Sequence, residues 1–306
     1  MARKRSDGPT GFAIVDKEPG WTSHDVVAKA RGILKTRKIG HSGTLDPDAT
    51  GVLLLGVGKA TRILRFLDGA TKSYTGEIVF GTETASLDSS GDVTATHDMG
   101  SVIDVDAART AAVALTGDIL QVPPMVSAKK VDGKRLHELA REGIEIEREA
   151  VPVSVYRFDL EPTDDPMVLR CLVDCSAGTY IRSLAADLGT AMGGGAHLRN
   201  LRRTAIGSFR DDAAEPLESV TLRPAAELLR DLDPVTVPAE IAVDVSYGRI
   251  LPLELLGGAR SGPYPVLDET GALLAVYETH RNGTAKPAVV LVEPTKPTEP
   301  APEEPS

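Results

Sequence analysis

The stretch GHSGTLDPDATGVLLLGV, Gly40 to Val57, sets one carboxylate, Asp46, among turn-forming residues and follows it at once with an apolar run. Gly40, Gly43, Pro47 and Gly51 permit unusual backbone geometry, and binding or catalytic groups gather on such loops when a rigid strand supports them. VLLLGV, Val52 to Val57, reads as that strand. Taken alone, an Asp-Pro pair only starts a turn, its side chain bonded to nearby amides. The chemistry of Asp46 therefore depends on what the rest of the chain brings to it.

Upstream, GFAIVD (residues 11–16) is strand-like, and a turn at Pro19 and Gly20 leads into a helix over SHDVVAKARGIL that Ser23 can cap. Downstream, GKATRILRFL spaces Ile63, Leu64 and Leu67 as a helix does, and KSYTGEIVFG alternates as a strand. Residues 86–98 read as an exposed polar loop, and DVDAARTAAVALTG as a helix ending at Gly117. Two β-rich stretches, VPVSVYRFDL and PMVLRCLVDC, precede the helix TYIRSLAADLGTAM and a strand around AHLRNLRRTAIGSF. Hairpin-like strand pairs interleaved with helices predict an α+β fold, a mixed and largely antiparallel central sheet flanked by helices and loops. A proline-bearing linker around LDPVTVPAE, residues 232–240, then leads to a small β-rich C-terminal module at residues 241–292. The expected organisation is a basic arm (1–9), a catalytic domain (10–235) with a projecting insertion (121–149), the module, and a Pro- and Glu-rich disordered tail (293–306).

A net charge of −10 looks unsuited to a polyanionic ligand, but its distribution removes the conflict. Residues 1–210 carry 27 basic and 27 acidic side chains, whereas residues 211–306 carry 7 and 17, so the whole excess lies in the last third. From Lys17 to Lys72 the chain is locally positive on both sides of the Asp46 loop, and His197, Arg199, Arg202 and Arg203 form a second cluster. Lys129, Lys130, Lys134 and Arg135 add basic charge to the 121–149 insertion. Such clusters are often only solvated faces, yet they offer a local footprint for nucleic acid whatever the global sign. Cys171 and Cys175 share a strand, where four residues span roughly 13 Å, too far for a disulfide. No further Cys or His pair lies at ligand spacing, so no metal and no cofactor is expected. No apolar run reaches spanning length and no apolar signal core follows the basic N-terminus, which points to a cytoplasmic protein.

The Gly40 to Leu53 string resembles the catalytic motif of the TruB family of tRNA pseudouridine synthases, loosely GHxGxLDPxAxGxL, and every fixed position of it is present. KSY, CSAGTYIRSL and GAHLRNLRR resemble three further motifs of that family, in the same order. The resemblance spans roughly residues 10–210. It implies isomerisation of a uridine in the tRNA T loop, position 55, to pseudouridine, with Asp46 as nucleophile and possible assistance to tRNA folding. It implies that Arg182 pairs with Asp46, that Tyr74 stacks on the target base, and that Leu201 forms part of the pocket wall. His41 would fill the space that a flipped-out base vacates. Tyr180, two residues before Arg182, would lie near the same pocket, with Lys17, Lys129 and Arg202 as further RNA contacts. A PUA-type RNA-binding domain holds the C-terminal place in that family. The partner is the T arm of tRNA, with no membrane and no obligatory protein partner, and a monomer is expected. The sequence departs from the pattern at DKEPGWTS, usually DKPxGxTS, and at Val126 and His137, where aromatic residues are common.

Two other readings compete. DPDAT, Asp46 to Thr50, also satisfies the DxDxT pattern of metal-dependent aspartyl-phosphate phosphatases, but that motif follows a buried strand and Pro47 would interrupt a strand end. A non-catalytic RNA-binding or chaperone protein is the other, against which the joint presence of Asp46, Tyr74 and Arg182 speaks.

Overall fold

The computed structural model describes residues 8–125, 130–131, 134–135, 148–258 and 262–294. Lys129, most of the 121–149 insertion, the arm through residue 7 and the tail from residue 295 lie outside the described residues. In chain order the elements begin with β1 (Gly11–Lys17), α1 (Ser23–Ile33), β2 (Ile39–Ser42), β3 (Thr50–Val57), β4 (Lys72–Phe80), β5 (Thr82–Thr84) and β6 (Val93–Thr96). They continue with α2 (Val105–Val113), β7 (Gly117–Gln121), β8 (Lys130–Val131), β9 (Lys134–Arg135), β10 (Val151–Pro162), β11 (Val168–Cys175), α3 (Ile181–Ala191), β12 (Ala196–Ile206) and β13 (Phe209–Arg210). The C-terminal part holds β14 (Val235–Thr236), α4 (Ala239–Ser246), β15 (Leu251–Pro252), β16 (Tyr264–Leu267), β17 (Leu273–Thr279) and β18 (Thr284–Val290).

The central sheet runs β1-β3-β12-β4-β11-β10-β7, with β2 beside β3 and β13 beside β12. Its pairings are antiparallel except β3 with β12, where Arg202 lies opposite Thr50 and Arg203 opposite Gly51. This is the mixed, mainly antiparallel α+β sheet that the sequence predicts. VLLLGV is apolar throughout because β3 is covered on both faces. Successive side chains of a strand point to opposite sides. Leu53, Leu55 and Val57 pack with Val26, Val27 and Ala30 of α1, while Val52 and Leu54 join Phe12, Ile14 and residues of the C-terminal sheet. A third core under β4, β10 and β11 takes in α2 and α3.

Several local expectations change. Thr22, not Ser23, caps α1, in a capping box with Asp25, and the buried Ser23 hydroxyl instead accepts from the Leu45 amide at 2.9 Å. The helix expected over GKATRILRFL forms as two 3₁₀ turns, Gly58–Arg62 and Leu64–Leu67. Three residues per turn bring Ala60 under Ile63, and Leu64 under Leu67, onto the core side. The polar loop of residues 86–98 is partly the hairpin of β5 with β6, closed by Asp88, whose carboxylate accepts from the Ser86 and Ser90 hydroxyls.

The C-terminal sheet, β14-β16-β17-β18-β15, draws its first strand from the stretch read as linker, because Val235 and Thr236 pair in parallel with Val266 and Leu267. Leu273, Val276, Val289 and Leu291 share a core with Phe12, Val52 and Leu54. Arg62 donates to the Val290 carbonyl at 2.7 Å and Arg65 to that of Ala288 at 3.3 Å.

Gly51 is the closest approach in the sheet. Its φ is +98°, and a Cβ there would lie 2.2 Å from the Arg203 carbonyl oxygen. Both the positive φ and the backbone contact exclude a side chain. Gly51→Ala is expected to lower the free energy of unfolding by more than about 1 kcal/mol, read from denaturant midpoints, and a wild-type midpoint would refute the packing argument.

Candidate active site

The loop between β2 and β3 is tied down from beneath before any functional group is considered. Lys17, 1% exposed at the end of β1, donates its ammonium to the carbonyls of Pro47 at 2.8 Å, Ala49 at 2.6 Å and Glu18 at 3.0 Å. Ser23 holds Leu45 through both its amide and its carbonyl, and the Gly20 amide donates to the Pro47 carbonyl at 2.9 Å. Burial lowers the Lys17 pKa to about 8, against the opposing fields of Asp48 and Asp46. Lys17, read as an RNA contact, is thus placed under the Asp46 loop and not at its surface.

Above that support Asp46 meets Arg182 in a forked pair. Arg182 Nη2 donates to Asp46 Oδ1 at 3.0 Å and Nε lies 3.0 Å from Oδ2, the planar geometry that a guanidinium offers a carboxylate. Arg182 stands in the first turn of α3 with its side chain 5% exposed, and its Nη1 donates to the Ser86 carbonyl at 2.7 Å and lies 3.5 Å from Asp88 Oδ2. The Asp46 side chain remains 39% accessible although protein surrounds it, because it lines a concave cavity. Desolvation there raises its pKa, with Asp88 adding to the rise and Arg182 and Lys17 opposing it.

The cavity has a volume of about 330 Å³ and is lined by Asp46, Lys72, Tyr74, Tyr180, Leu201 and Arg203 among others. That is the size of a small-ligand site. Tyr74 points in from β4, its phenol pKa raised by burial and by Asp46 while Arg203 opposes the shift. Tyr180 precedes α3, and buried Gln121 clamps its backbone, accepting from the amide at 2.8 Å and donating to the carbonyl at 3.1 Å. Leu201 reaches the cavity through a bulge in β12, where the register against β4 shifts between Arg199 and Arg202 and Asn200 takes φ +53°. A bulge re-aims side chains in this way. A second hollow of about 150 Å³ shares Asp46, Arg182 and Leu201 with the first and is lined besides by Asp88, Ser90 and Asn200.

The remaining expectations divide. His41 lies on β2, edge-on to His24 at 5.3 Å, outside the set lining either hollow, and burial and His24 lower its pKa. Arg202 is committed to carboxylates: its guanidinium grips Asp16 through bonds of 2.9 and 3.1 Å and donates from Nε to Asp211 at 3.0 Å. Its neighbour Arg203, 1% exposed, lines the cavity and braces it by donating to the carbonyls of Val52 at 2.8 Å and Gly43 at 3.2 Å. Sequence reading missed Asp88, Gln121 and the site role of Lys72. For Lys72 a signal existed, since it lies two residues before Tyr74 on one strand and so faces the same side. Among the described residues no group of three or more His, Cys, Asp or Glu side chains could hold a metal ion.

The arrangement offers an accessible carboxylate held in place by a buried arginine, within aromatic and aliphatic walls, the setting of a carboxylate nucleophile. Residues 31–181 match the TruB family pseudouridylate synthase (N terminal domain), and residues 182–244 the tRNA pseudouridylate synthase B C-terminal domain. The chain is 40% identical to tRNA pseudouridine synthase B of Arthrobacter sp. (strain FB24) over 92% of its length and 96% of that protein's. It is 43% identical to tRNA pseudouridine synthase B of Nocardia farcinica, over 88% and 96%. Among solved structures, a chain of the "Crystal Structure of a Cbf5-Nop10-Gar1 Complex" superposes with TM-score 0.66 at 26% identity, covering 92% of this chain and 84% of that one. The protein belongs to the TruB family of pseudouridylate synthases.

Proposed function

We propose that the protein isomerises a uridine of tRNA, in the T loop at position 55, to pseudouridine, with Asp46 as the nucleophile. The observation that carries this reading is the forked Asp46–Arg182 pair opening on a cavity walled by Tyr74, Tyr180 and Leu201. The relatives' printed names, tRNA pseudouridine synthase B, support tRNA as the substrate. The reaction breaks the glycosidic bond, turns the base and rejoins it through carbon, which requires no redox partner and no external group donor. A target stacked in a folded arm must first be extruded, at a cost of a few kcal/mol. Tyr74 then faces the base, Leu201 closes the wall, and Arg182 keeps the Asp46 carboxylate oriented. Residues 10–235 act as the catalytic unit, residues 121–149 with Lys129 contact the arm, and the protein works as a monomer in the cytoplasm.

Pseudouridine mapping on T-arm RNA tests the assignment. Wild type should form pseudouridine, while Asp46→Asn should lose at least about 10³-fold in rate, as nucleophile removal does elsewhere, with RNA affinity retained. No pseudouridine from wild type would refute the reaction, and an active Asp46→Asn would refute the nucleophile. Arg182→Met leaves the carboxylate without its forked partner and should cost at least about 100-fold in single-turnover rate, an effect that a wild-type rate would disprove.

The pH dependence follows from the same site. Only ionised Asp46 is nucleophilic, and its pKa is raised above the ordinary aspartate value, so activity falls with decreasing pH at a higher pH than an unperturbed carboxylate would give. Asp88 contributes to that rise. Asp88→Asn should therefore move the acid limb of kcat/KM to lower pH, and a limb that stays or moves upward would contradict this electrostatic ordering.

A further inference from the structure

The cavity holds a third cation that neither orients Asp46 nor braces the sheet. Arg182 is committed to Asp46, Ser86 and Asp88, and Arg203 to the carbonyls of Val52 and Gly43. Lys72 differs. It is 7% exposed, lines the cavity beside Tyr74, and the one hydrogen bond of its ammonium among the described residues is a long 3.4 Å contact with the Ala70 carbonyl. An ammonium has three donors, so most of its hydrogen-bonding capacity is unspent. Asp68 lines the cavity too, but no ion pair within 4.0 Å joins it to Lys72 among the described residues. Strand pairing fixes the position, with Lys72 opposite Cys175 on β11 and Ile206 on β12. Its stem packs at Gly43, where an added Cβ would lie 3.6 Å from Lys72 Cε. Burial, with Arg203 close by, lowers the Lys72 pKa against the opposing fields of Cys175 and Asp68. An incompletely paired buried ammonium is costly to keep, and a ligand charge arriving in the cavity would relieve that cost.

We infer that Lys72 is a catalytic residue whose ammonium donates to a carbonyl oxygen of the target uracil and stabilises the negative charge that the base acquires as it detaches. When the bond from N1 to C1′ breaks, its electron pair stays with N1 and spreads onto O2 and O4. The base turns, C5 bonds to C1′, the bond from Asp46 to sugar or ring breaks with its electron pair returning to the carboxylate, and the proton lost from C5 is matched by one taken up at N1, so atoms and electrons balance with no outside reagent. The detached base is common to attack by Asp46 on sugar or on ring. A fixed cation aimed at charge that develops only during the reaction acts on rate more than on binding.

The inference rests on the proposed uridine isomerisation, and the experiment separates the two. Single-turnover consumption of the target nucleotide is measured with T-arm RNA carrying uridine or 5-fluorouridine at that position. Fluorine stabilises the departing anion by itself, so the fluorinated base needs the cation less. If wild type leaves uridine RNA unchanged, the isomerase reading fails. Given an active wild type, Lys72→Met should lose about 100-fold on uridine RNA, the size of effect seen when one charge-stabilising donor is removed. It should lose under tenfold on 5-fluorouridine RNA, with RNA affinity within twofold of wild type. Lys72→Gln, which keeps a polar side chain, is read in the same way should the Met variant not fold. Equal losses on the two bases, an unchanged rate, or a loss confined to RNA affinity, as a phosphate contact would give, each overturns the inference.

Discussion

Two residue pairs join the halves of the central sheet. β1, β2 and β3 form one antiparallel group, β12, β4, β11, β10 and β7 another, and among the described residues only the parallel pairing of Thr50 and Gly51 with Arg202 and Arg203 connects them. That seam fixes the chemistry, because the Asp46 loop enters β3 immediately before it and Tyr74 faces Arg203 immediately across it on β4. Arg203 then reaches back over the seam to the Gly43 and Val52 carbonyls, so that one buried guanidinium holds both ends of the Asp46 loop. Gly51 is the condition for all of this. Any side chain there would separate the two backbones and displace Asp46 from Tyr74 along with them.

The site concentrates charge in a way that stability alone does not explain. Lys17, Arg182, Arg203 and Lys72 are all buried, and buried ion pairs seldom repay their desolvation relative to apolar packing. What Lys17, Arg182 and Arg203 secure is position. Lys17 draws the Pro47 and Ala49 carbonyls together below the loop, and Arg182 meets both Asp46 oxygens above it, so the carboxylate is restrained from two directions. On the proposed function, restraint matters more than added affinity, because a nucleophile must keep its orientation while the base turns.

Much of this was legible in the sequence, and the failures share a cause. The apolar run after Asp46 and the alternation around Tyr74 located the strands, because periodicity and turn chemistry are local properties, while the pairing of Asp46 with Arg182 was implied by the resemblance of the motifs to the TruB family. The choice between Thr22 and Ser23 as helix cap was not local: Ser23 is withdrawn by Leu45, 22 residues away. Arg202 and Arg203 are adjacent and identical in type, yet alternation on β12 sends one to Asp16 and Asp211 and the other into the cavity. Lys17 reads as surface charge until β1 is seen to end beneath the loop. Asp88 and Gln121 act through Arg182 and through the Tyr180 backbone, contacts between segments far apart in the chain.

Docking of the C-terminal sheet changes the meaning of the basic residues that flank Asp46 in sequence. Lys59 pairs with Glu293 at 2.9 Å, Arg62 and Arg65 donate to C-terminal carbonyls, and Lys29 pairs with Glu218. Positive charge that reads as an RNA footprint is thus partly engaged by the acidic last third of the chain. Exposed pairs of this kind contribute little energy each, about 0–1 kcal/mol, and are screened by salt. The shared core of Phe12, Val52 and Leu54 with Leu273, Val276 and Val289 therefore does most of the docking, while the pairs set its register. Because β3 lies in that core, the C-terminal sheet supports the strand that carries the Asp46 loop. On the proposed function, the acidic module serves catalysis through the scaffold whether or not it touches RNA.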